Sequence, residues 1–384
     1  MTYRPNAKPP ASAKLPTELL GEVFQYLPPR QKARVCRLCK AARVEAERTL
    51  YTCVDAPWGR ESGIALLRTI ANVPRIAEKI EAFHLQVSPW MLSVLDLVAS
   101  AFTQLVNLTD LTVVFQAHST HLAEMPIQRL FQTLHAAPFR LSRLSLLGFR
   151  FADTLPLLHS QPDILDWTHT EGEVLNSPPS DLLPRVEVVH IHPHLIRAFA
   201  SSRPISRMRI PFGQENEGPS VFSVIESLSK FRRTLRVLDL ERRFSVLEST
   251  RTSEVLTKLA ETLPNLHVLV LSDQRLGLIP LSRDHADTVD DILTAISQFT
   301  RLKSILLHRP DFNHRFSTWY RLWRGRVCDE IGDLFMAACP SLNLVAIPAN
   351  QTSYDYVGFE RMADEELHTV TLDRNFIRLA WRTM

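Results

Sequence analysis

Glycine is scarce in this chain, 11 in 384 residues. Neither GxGxxG nor GxxxxGKS/T occurs, so folds that cradle a phosphate on a glycine-rich turn are disfavoured. Cysteine is sparse too, and its count of five is odd, which suits reduced thiols better than a disulfide framework. No apolar stretch approaches the roughly 18 residues of a membrane-spanning helix, and residues 1–13 hold no apolar segment able to act as a signal peptide. The expectation is a soluble intracellular protein with no membrane partner. No run of five basic residues separates nucleus from cytoplasm. Catalytic motifs are missing as well. With no GxSxG elbow, no HExxH and no close carboxylate pair in a glycine-rich pocket, a non-enzymatic role without cofactor or metal is expected.

What remains is a globular composition, 45% apolar and 22% charged, which excludes disorder throughout. The length fits one elongated domain or two to three compact ones. Net charge is +3, unevenly spread: residues 1–60 carry 11 Lys/Arg against 5 Asp/Glu, the rest 33 against 36. A basic region favours an acidic partner. Its cations interleave with an apolar helical pattern rather than lining one face, which favours an acidic protein over nucleic acid.

Residues 1–13 mix Pro, Ala, Lys and Asn with no apolar period and read as a disordered arm. From Leu15 the text changes. Pro16 precedes a helical pattern, Thr17 is placed to cap it, and Leu19, Leu20, Val23, Phe24 and Leu27 recur at helical spacing until Pro28-Pro29 stops the run. A second helix is expected from about Gln31 to Leu50, with Val35, Leu38, Ala42 and Ala46 on one face. Two such short helices bury little surface, so the module needs a partner to cover its apolar side.

Leu15-Pro16-x-Glu18-Leu19-Leu20-x-x-Val23-Phe24-x-x-Leu27-Pro28, followed by Val35-Cys36-Arg37 and Ala46-Glu47-Arg48-x-Leu50-Tyr51, resembles the F-box of substrate receptors in Skp–cullin–F-box ubiquitin ligases, in the form seen in many fungal proteins. The resemblance covers roughly residues 14–55. It implies a non-catalytic adaptor that docks on an acidic Skp-type subunit, and through it on cullin and RING subunits, and that presents a protein substrate for ubiquitination. The adaptor-binding residues it implies are Leu15, Pro16, Glu18, Leu19, Leu20, Val23, Phe24, Leu27, Val35 and Cys36.

Beyond residue 55 an apolar frame, Φ-x-x-Φ-x-Φ, recurs: Ile80/Phe83/Leu85, Leu108/Leu111/Val113, Leu141/Leu144/Leu146, Val186/Val189/Ile191, Ile205/Met208/Ile210, Leu235/Leu238/Leu240, Leu266/Leu269/Leu271, Leu302/Ile305/Leu307, Leu342/Val345/Ile347 and Leu367/Val370/Leu372. Leu165 and Trp167 form a degenerate copy. Helical stretches precede many copies and short breaks such as Leu263-Pro264-Asn265 lead into them, so each unit reads as helix, turn, short strand. The fold class expected is α/β: a small helical F-box, 14–55, then an irregular leucine-rich-repeat solenoid over 56–384 with a C-terminal cap. An irregular α+β domain is the rival.

In a solenoid, the residue between the last two frame positions faces the concave surface. That line runs His84, Thr112, Ser145, His190, Arg209, Asp239, Val270, Leu306, Ala346, with His192, Glu241, Ser272 and His308 beside it. The substrate surface expected from it has a charged centre at His190, His192, Arg209, Asp239 and Glu241 and an apolar anchor at Val270 and Leu306. The alternative is that residues 350–384 cover the anchor. Other features have bland readings. Cys36-x-x-Cys39 lies in an expected helix without a second ligand pair, and His190-x-His192-x-His194 reads as three histidines on one side of a strand rather than a metal site. Phe312, Phe316, Trp319, Tyr320 and Trp323, interleaved with arginines, read as the buried face of a helix between repeats; single-stranded nucleic acid binding is the alternative. A repeat scaffold acting outside any ligase is the other functional alternative.

Overall fold

The computed structural model describes residues 17–55, 59–115, 124–171, 182–197, 199, 202–212, 219–244, 250–275, 287–308, 328–348, 356–362 and 367–384. The expected arm 1–13, Leu15, Pro16 and the aromatic stripe 312–323 lie outside the described residues. The chain divides into two compact units, Met1–Leu141 and Ser142–Met384.

The first unit opens with three helices, α1 (Thr17–Gln25), α2 (Pro29–Val35) and α3 (Lys40–Tyr51). Phe24, Ala42 and Ala46 form their small core, with Leu20, Leu27, Val35 and Cys36 packed around it. The single helix expected over 31–50 is two. Pro29 does not merely end α1; it sits in the first turn of α2, where its missing N–H costs nothing. The break falls on the Cys36–Cys39 spacing: Cys36 ends α2, and extended Cys39 caps α3, its Sγ accepting the Ala42 N–H at 3.5 Å. The two thiols therefore lie at a helix junction, not inside a helix. Three parallel strands follow, β1 (Cys53–Asp55), β2 (Ala82–Val87) and β3 (Asp110–Phe115), in the register Val54↔Phe83↔Leu111. Helices Arg60–Asn72 and Leu95–Phe102 bury Leu67, Ile70, Val98 and Phe102. Phe102 meets Phe83 edge-on at 5.6 Å, an arrangement aromatic quadrupoles favour.

In the second unit eight strands run parallel in sequence order: β4 (Arg143–Leu147), β5 (Asp166–His169), β6 (Val188–Ile191), β7 (Arg207–Phe212), β8 (Val237–Phe244), β9 (Val268–Arg275), β10 (Ser304–His308) and β11 (Leu344–Pro348). Their central frame residues align in one row, Leu144, Trp167, Val189, Met208, Leu238, Leu269, Ile305 and Val345, each fully buried. Connecting helices such as Val221–Leu228, Thr252–Thr262 and Val289–Ile296 bury one apolar stripe each. The junctions are more regular than the sequence spacing. At the start of each strand two successive N–H groups donate to one carbonyl of the preceding repeat: Arg236 and Val237 to Ser206, His267 and Val268 to Arg236, Lys303 and Ser304 to His267, Asn343 and Leu344 to Lys303. Backbone pairing thus fixes the repeat while helix length varies. The fold is mixed α/β, three N-terminal helices followed by strand–helix repeats.

Two frames need correction. The degenerate copy is in register as Ile164/Trp167/His169, all buried, with Leu165 displaced from the frame. The frame at Leu367/Val370/Leu372 is not a repeat. It forms β13 (Leu367–Leu372), antiparallel to β12 (Tyr356–Arg361), which returns antiparallel along β11. That return places Arg361 at the end of helix Cys328–Ala338, where its guanidinium donates to the Met336 and Pro340 carbonyls. Gly332 of this helix permits the approach, since a Cβ there would lie 2.5 Å from the Phe359 ring.

Candidate functional site

Two surfaces carry the residues singled out by the sequence. On the helical module, Leu20, Phe24, Leu27, Val35 and Cys36 face inward and hold α1, α2 and α3 together. Leu19 and Val23 do not: they are 45% and 51% exposed, and Tyr26 continues their line along α1 at 88%. Leu38, expected on the inner face of a continuous helix, sits in the turn after α2 and is exposed. Val44 on α3 is exposed too. Tyr26 and Val44 were not among the sequence candidates, although Tyr26 extends the spacing of Leu19 and Val23. The structure describes the backbone of Glu18 but not its side chain.

Between α2 and α3 lies a cleft of about 550 Å³ lined by Cys36, Arg37, Lys40, Arg43, Glu47 and Tyr51, among others. Burial pushes the Glu47 carboxyl up, but bonds from Arg43 and Arg75 outweigh it and hold the group below the usual carboxylate range. Glu47 is thus a fixed anion inside a cationic surrounding. Burial, reinforced by Glu47, raises the Cys36 thiol, so this is not an activated nucleophile.

The second surface is the face of the second unit opposite the frame residues. Sequence places His190, Arg209, Asp239, Val270 and Leu306 on it, and the register confirms that these positions neighbour one another: His190↔Arg209↔Asp239↔Val270↔Leu306. It is not open. Helix Arg374–Thr383 lies on it, and Ala380 and Trp381 pack with Val237, Val268, Val270, Leu306, Ala346 and Tyr356 in one buried cluster. The exposed apolar anchor expected at Val270 and Leu306 is therefore corrected: both are covered by the segment considered as its alternative cover. An aliphatic pair on a sheet face gains more from an apolar lid than from water.

The charged centre is enclosed as well. Asp239 and Glu241 are buried, and Arg209 reaches both, Nε to Asp239 and Nη2 to Glu241, each at 3.3 Å. Burial pushes the Asp239 carboxyl up to about 7; Arg209 opposes the rise and Glu241 adds to it. His190 meets Trp381 edge-on at 6.0 Å. Burial first, then the cations of Arg209 and Arg382, lower its pKa to about 3. His192 and His194 leave this face altogether. Strand β6 ends at Ile191, and the two rings stack at 5.1 Å around the short helix Pro193–Ile196. His190, His192 and His194 therefore do not share one side of a strand. No group of three or more His, Cys, Asp or Glu side chains placed to hold a metal occurs among the described residues.

Arg382 completes the seat. It donates to Thr168 Oγ1 at 3.2 Å and Asp166 Oδ1 at 3.4 Å and stacks over the Trp381 ring at 4.9 Å, while the Arg207 side chain donates to the Arg382 carbonyl. Asp166 also pairs with Arg143 at 3.2 Å.

Comparison with known proteins agrees with the helical module. Residues 13–44 match the family model described as the F-box domain. No curated protein matches the chain. Among solved structures, the Rad7 and Elc1 complex in yeast aligns with 88% of this chain and 89% of that chain, at 10% identity and a TM-score of 0.37, which establishes no function. The matched segment carries α1, α2 and the start of α3, so residues 13–44 are assigned to an F-box domain.

Proposed function

We propose that this chain is the substrate receptor of a Skp–cullin–F-box ubiquitin ligase. In this reading the F-box docks on an acidic Skp-type adaptor, the repeats hold a protein substrate, and cullin and RING subunits bring the conjugating enzyme. The chain itself contributes proximity rather than bond chemistry, in the cytoplasm or nucleus, and the outcome is ubiquitin-dependent degradation. The observation that carries the reading is the exposed stripe Leu19, Val23 and Tyr26 on a module whose core is only Phe24, Ala42 and Ala46 with their partly buried neighbours. Apolar side chains set in a row on a module with an excess of Lys and Arg in its sequence fit an acidic partner with an apolar groove. The proposed contact set is Leu15, Pro16, Glu18, Leu19 and Val23, extended by Tyr26; the inward-facing Leu20, Phe24, Leu27, Val35 and Cys36 hold it in shape.

Copurification tests this directly. The full chain should retain a Skp-type adaptor, and Leu19→Asp with Val23→Asp should abolish retention without altering the circular dichroism melt, since both positions face solvent. Leu15→Ala with Pro16→Ala should weaken retention by tenfold or more. Adaptor binding undiminished in both double variants would overturn the reading.

A further inference from the structure

We propose that the face beneath helix Arg374–Thr383 is a receiving groove for a short amphipathic helix bearing an Ala-Trp-Arg-like small–aromatic–basic triplet, and that this chain's own helix occupies the groove in cis. The inference deepens the receptor reading and rests on it for the identity of the visitor as a substrate.

The groove is equipped for a helix in three ways. Val237, Val268, Val270, Leu306, Ala346 and Tyr356 form an apolar floor that shares one buried cluster with Ala380 and Trp381, and Trp381 also meets His190 edge-on. Asp166 and Thr168 receive the basic side chain that follows. Arg207 supplies a cation to the terminal helical carbonyl, where the helix dipole is negative. Each contact is made by a side chain of the sheet to a helix that donates no strand-ladder hydrogen bond, so the helix can leave without breaking the sheet.

The composition of the face points the same way. A surface built only to be a core would be apolar, because a buried charge cluster is typically no more stabilising than well-packed hydrophobic residues of the same volume. Here Arg209, Asp239 and Glu241 lie in the middle of it. The occupant also leaves apolar side chains uncovered on its outer side: Phe376 is 37% and Leu379 50% exposed. It is tethered through β13, an edge strand whose residues are mostly exposed. A helix whose inner side is specific and whose outer side remains apolar and uncovered is a replaceable occupant rather than a permanent layer.

Two measurements test the assignment. In native-state hydrogen exchange on the wild-type full chain, amides of 374–383 should exchange at least tenfold faster than those of β8 to β10, showing that the helix opens alone; joint exchange would overturn the proposal. A labelled peptide of residues 372–384 should bind the full chain carrying Arg382→Glu at least tenfold more tightly than the wild-type chain, and Trp381→Ala in the peptide should cost at least tenfold. Peptide binding to neither chain, or a dimer by light scattering that assigns the groove to a second copy, would overturn it. Should Arg382→Glu fail to fold, the exchange experiment alone decides. The receptor reading fails separately. Adaptor-dependent capture of a substrate that the peptide cannot displace removes the groove assignment and leaves the receptor, whereas peptide binding without any adaptor-dependent capture does the reverse.

Discussion

The three strands of the first unit and the strands of the second are built on the same frame but use their second face differently. On β2 and β3 the frame residues Phe83, Leu85, Leu111 and Val113 are buried, while His84 stays exposed and Thr112 half-exposed. On β10 all five residues are buried, and on β5 all four. The difference lies in the residues between the frame positions. At His84 and Thr112 this position stays in contact with water. Where these residues become Val270, Leu306 and Ala346, a helix covers them, and beneath it burial raises the pKa of the Asp239 carboxyl and lowers that of the His190 imidazole.

The largest expected effect separates the two faces by one kind of substitution. Leu306→Asp buries an unpaired charge under the helix and should cost about 5 kcal/mol, near the whole stability of an ordinary domain. Thr112→Asp on the half-exposed face of β3 should cost about 1 kcal/mol or less. Denaturant unfolding of both variants checks it, and equal losses would break the comparison. It follows that Leu306→Asp and Val270→Asp cannot serve as surface probes of substrate capture. Next in size is Trp381→Ala, which empties the slot between helix and sheet and should lower stability by about 3 kcal/mol in the same measurement.

Legibility followed the same divide. Frame leucines and isoleucines announced the strands because alternation at a spacing of two is a direct consequence of strand geometry, and α1 announced itself through Leu19, Leu20, Val23, Phe24 and Leu27. The covering helix was less visible, yet Ile305-Leu306-Leu307 is an unbroken apolar run of the kind that strands buried on both faces carry. Three features gave weak signals. The junction at Cys36–Cys39 depends on a thiol acting as a cap, a role usually filled by Ser, Thr, Asp or Asn. His169 occupies a frame position as a histidine. The antiparallel return of β12 and β13 repeats the apolar spacing of a parallel repeat, and spacing carries no information on strand direction.

The charged centre makes a finer prediction through pH. Asp239 holds its proton in the folded state up to about pH 7, whereas in the unfolded chain it ionises near its ordinary 3.8. Between those values the folded state binds more protons, so this group's contribution falls as pH rises. His190 works the other way. Its folded pKa of about 3 lies below the ordinary 6.5, so its contribution is lost as pH falls through that interval; His169, lowered by burial to about 4, acts in the same sense. From pH 4 to 6.5 the wild type should therefore gain stability with pH. Asp239→Asn should steepen the slope and His190→Gln should flatten it, each by on the order of 1 kcal/mol per pH unit. Urea midpoints across that range measure both slopes, and a change of the same sign in the two variants would show that the face is wetter than its burial implies.

The smallest expected effect belongs to the uncovered face. His84 Nδ1 lies 3.3 Å from Asp55 Oδ1, a neighbouring-strand contact between a side-chain nitrogen and a carboxylate as in Arg209 with Asp239. Its side chains are 46% and 81% exposed, however, against 23% and 6% for the covered pair. Water screens the exposed pair and ordering two side chains offsets much of its attraction, so His84→Ala should change stability by no more than about 0.5 kcal/mol, and added salt should leave that difference small. A double-mutant cycle with Asp55→Ala measures the coupling. A value above about 1 kcal/mol would mean that the β1–β2 face is shielded from solvent, and the contrast between an open and a covered repeat face would then not hold.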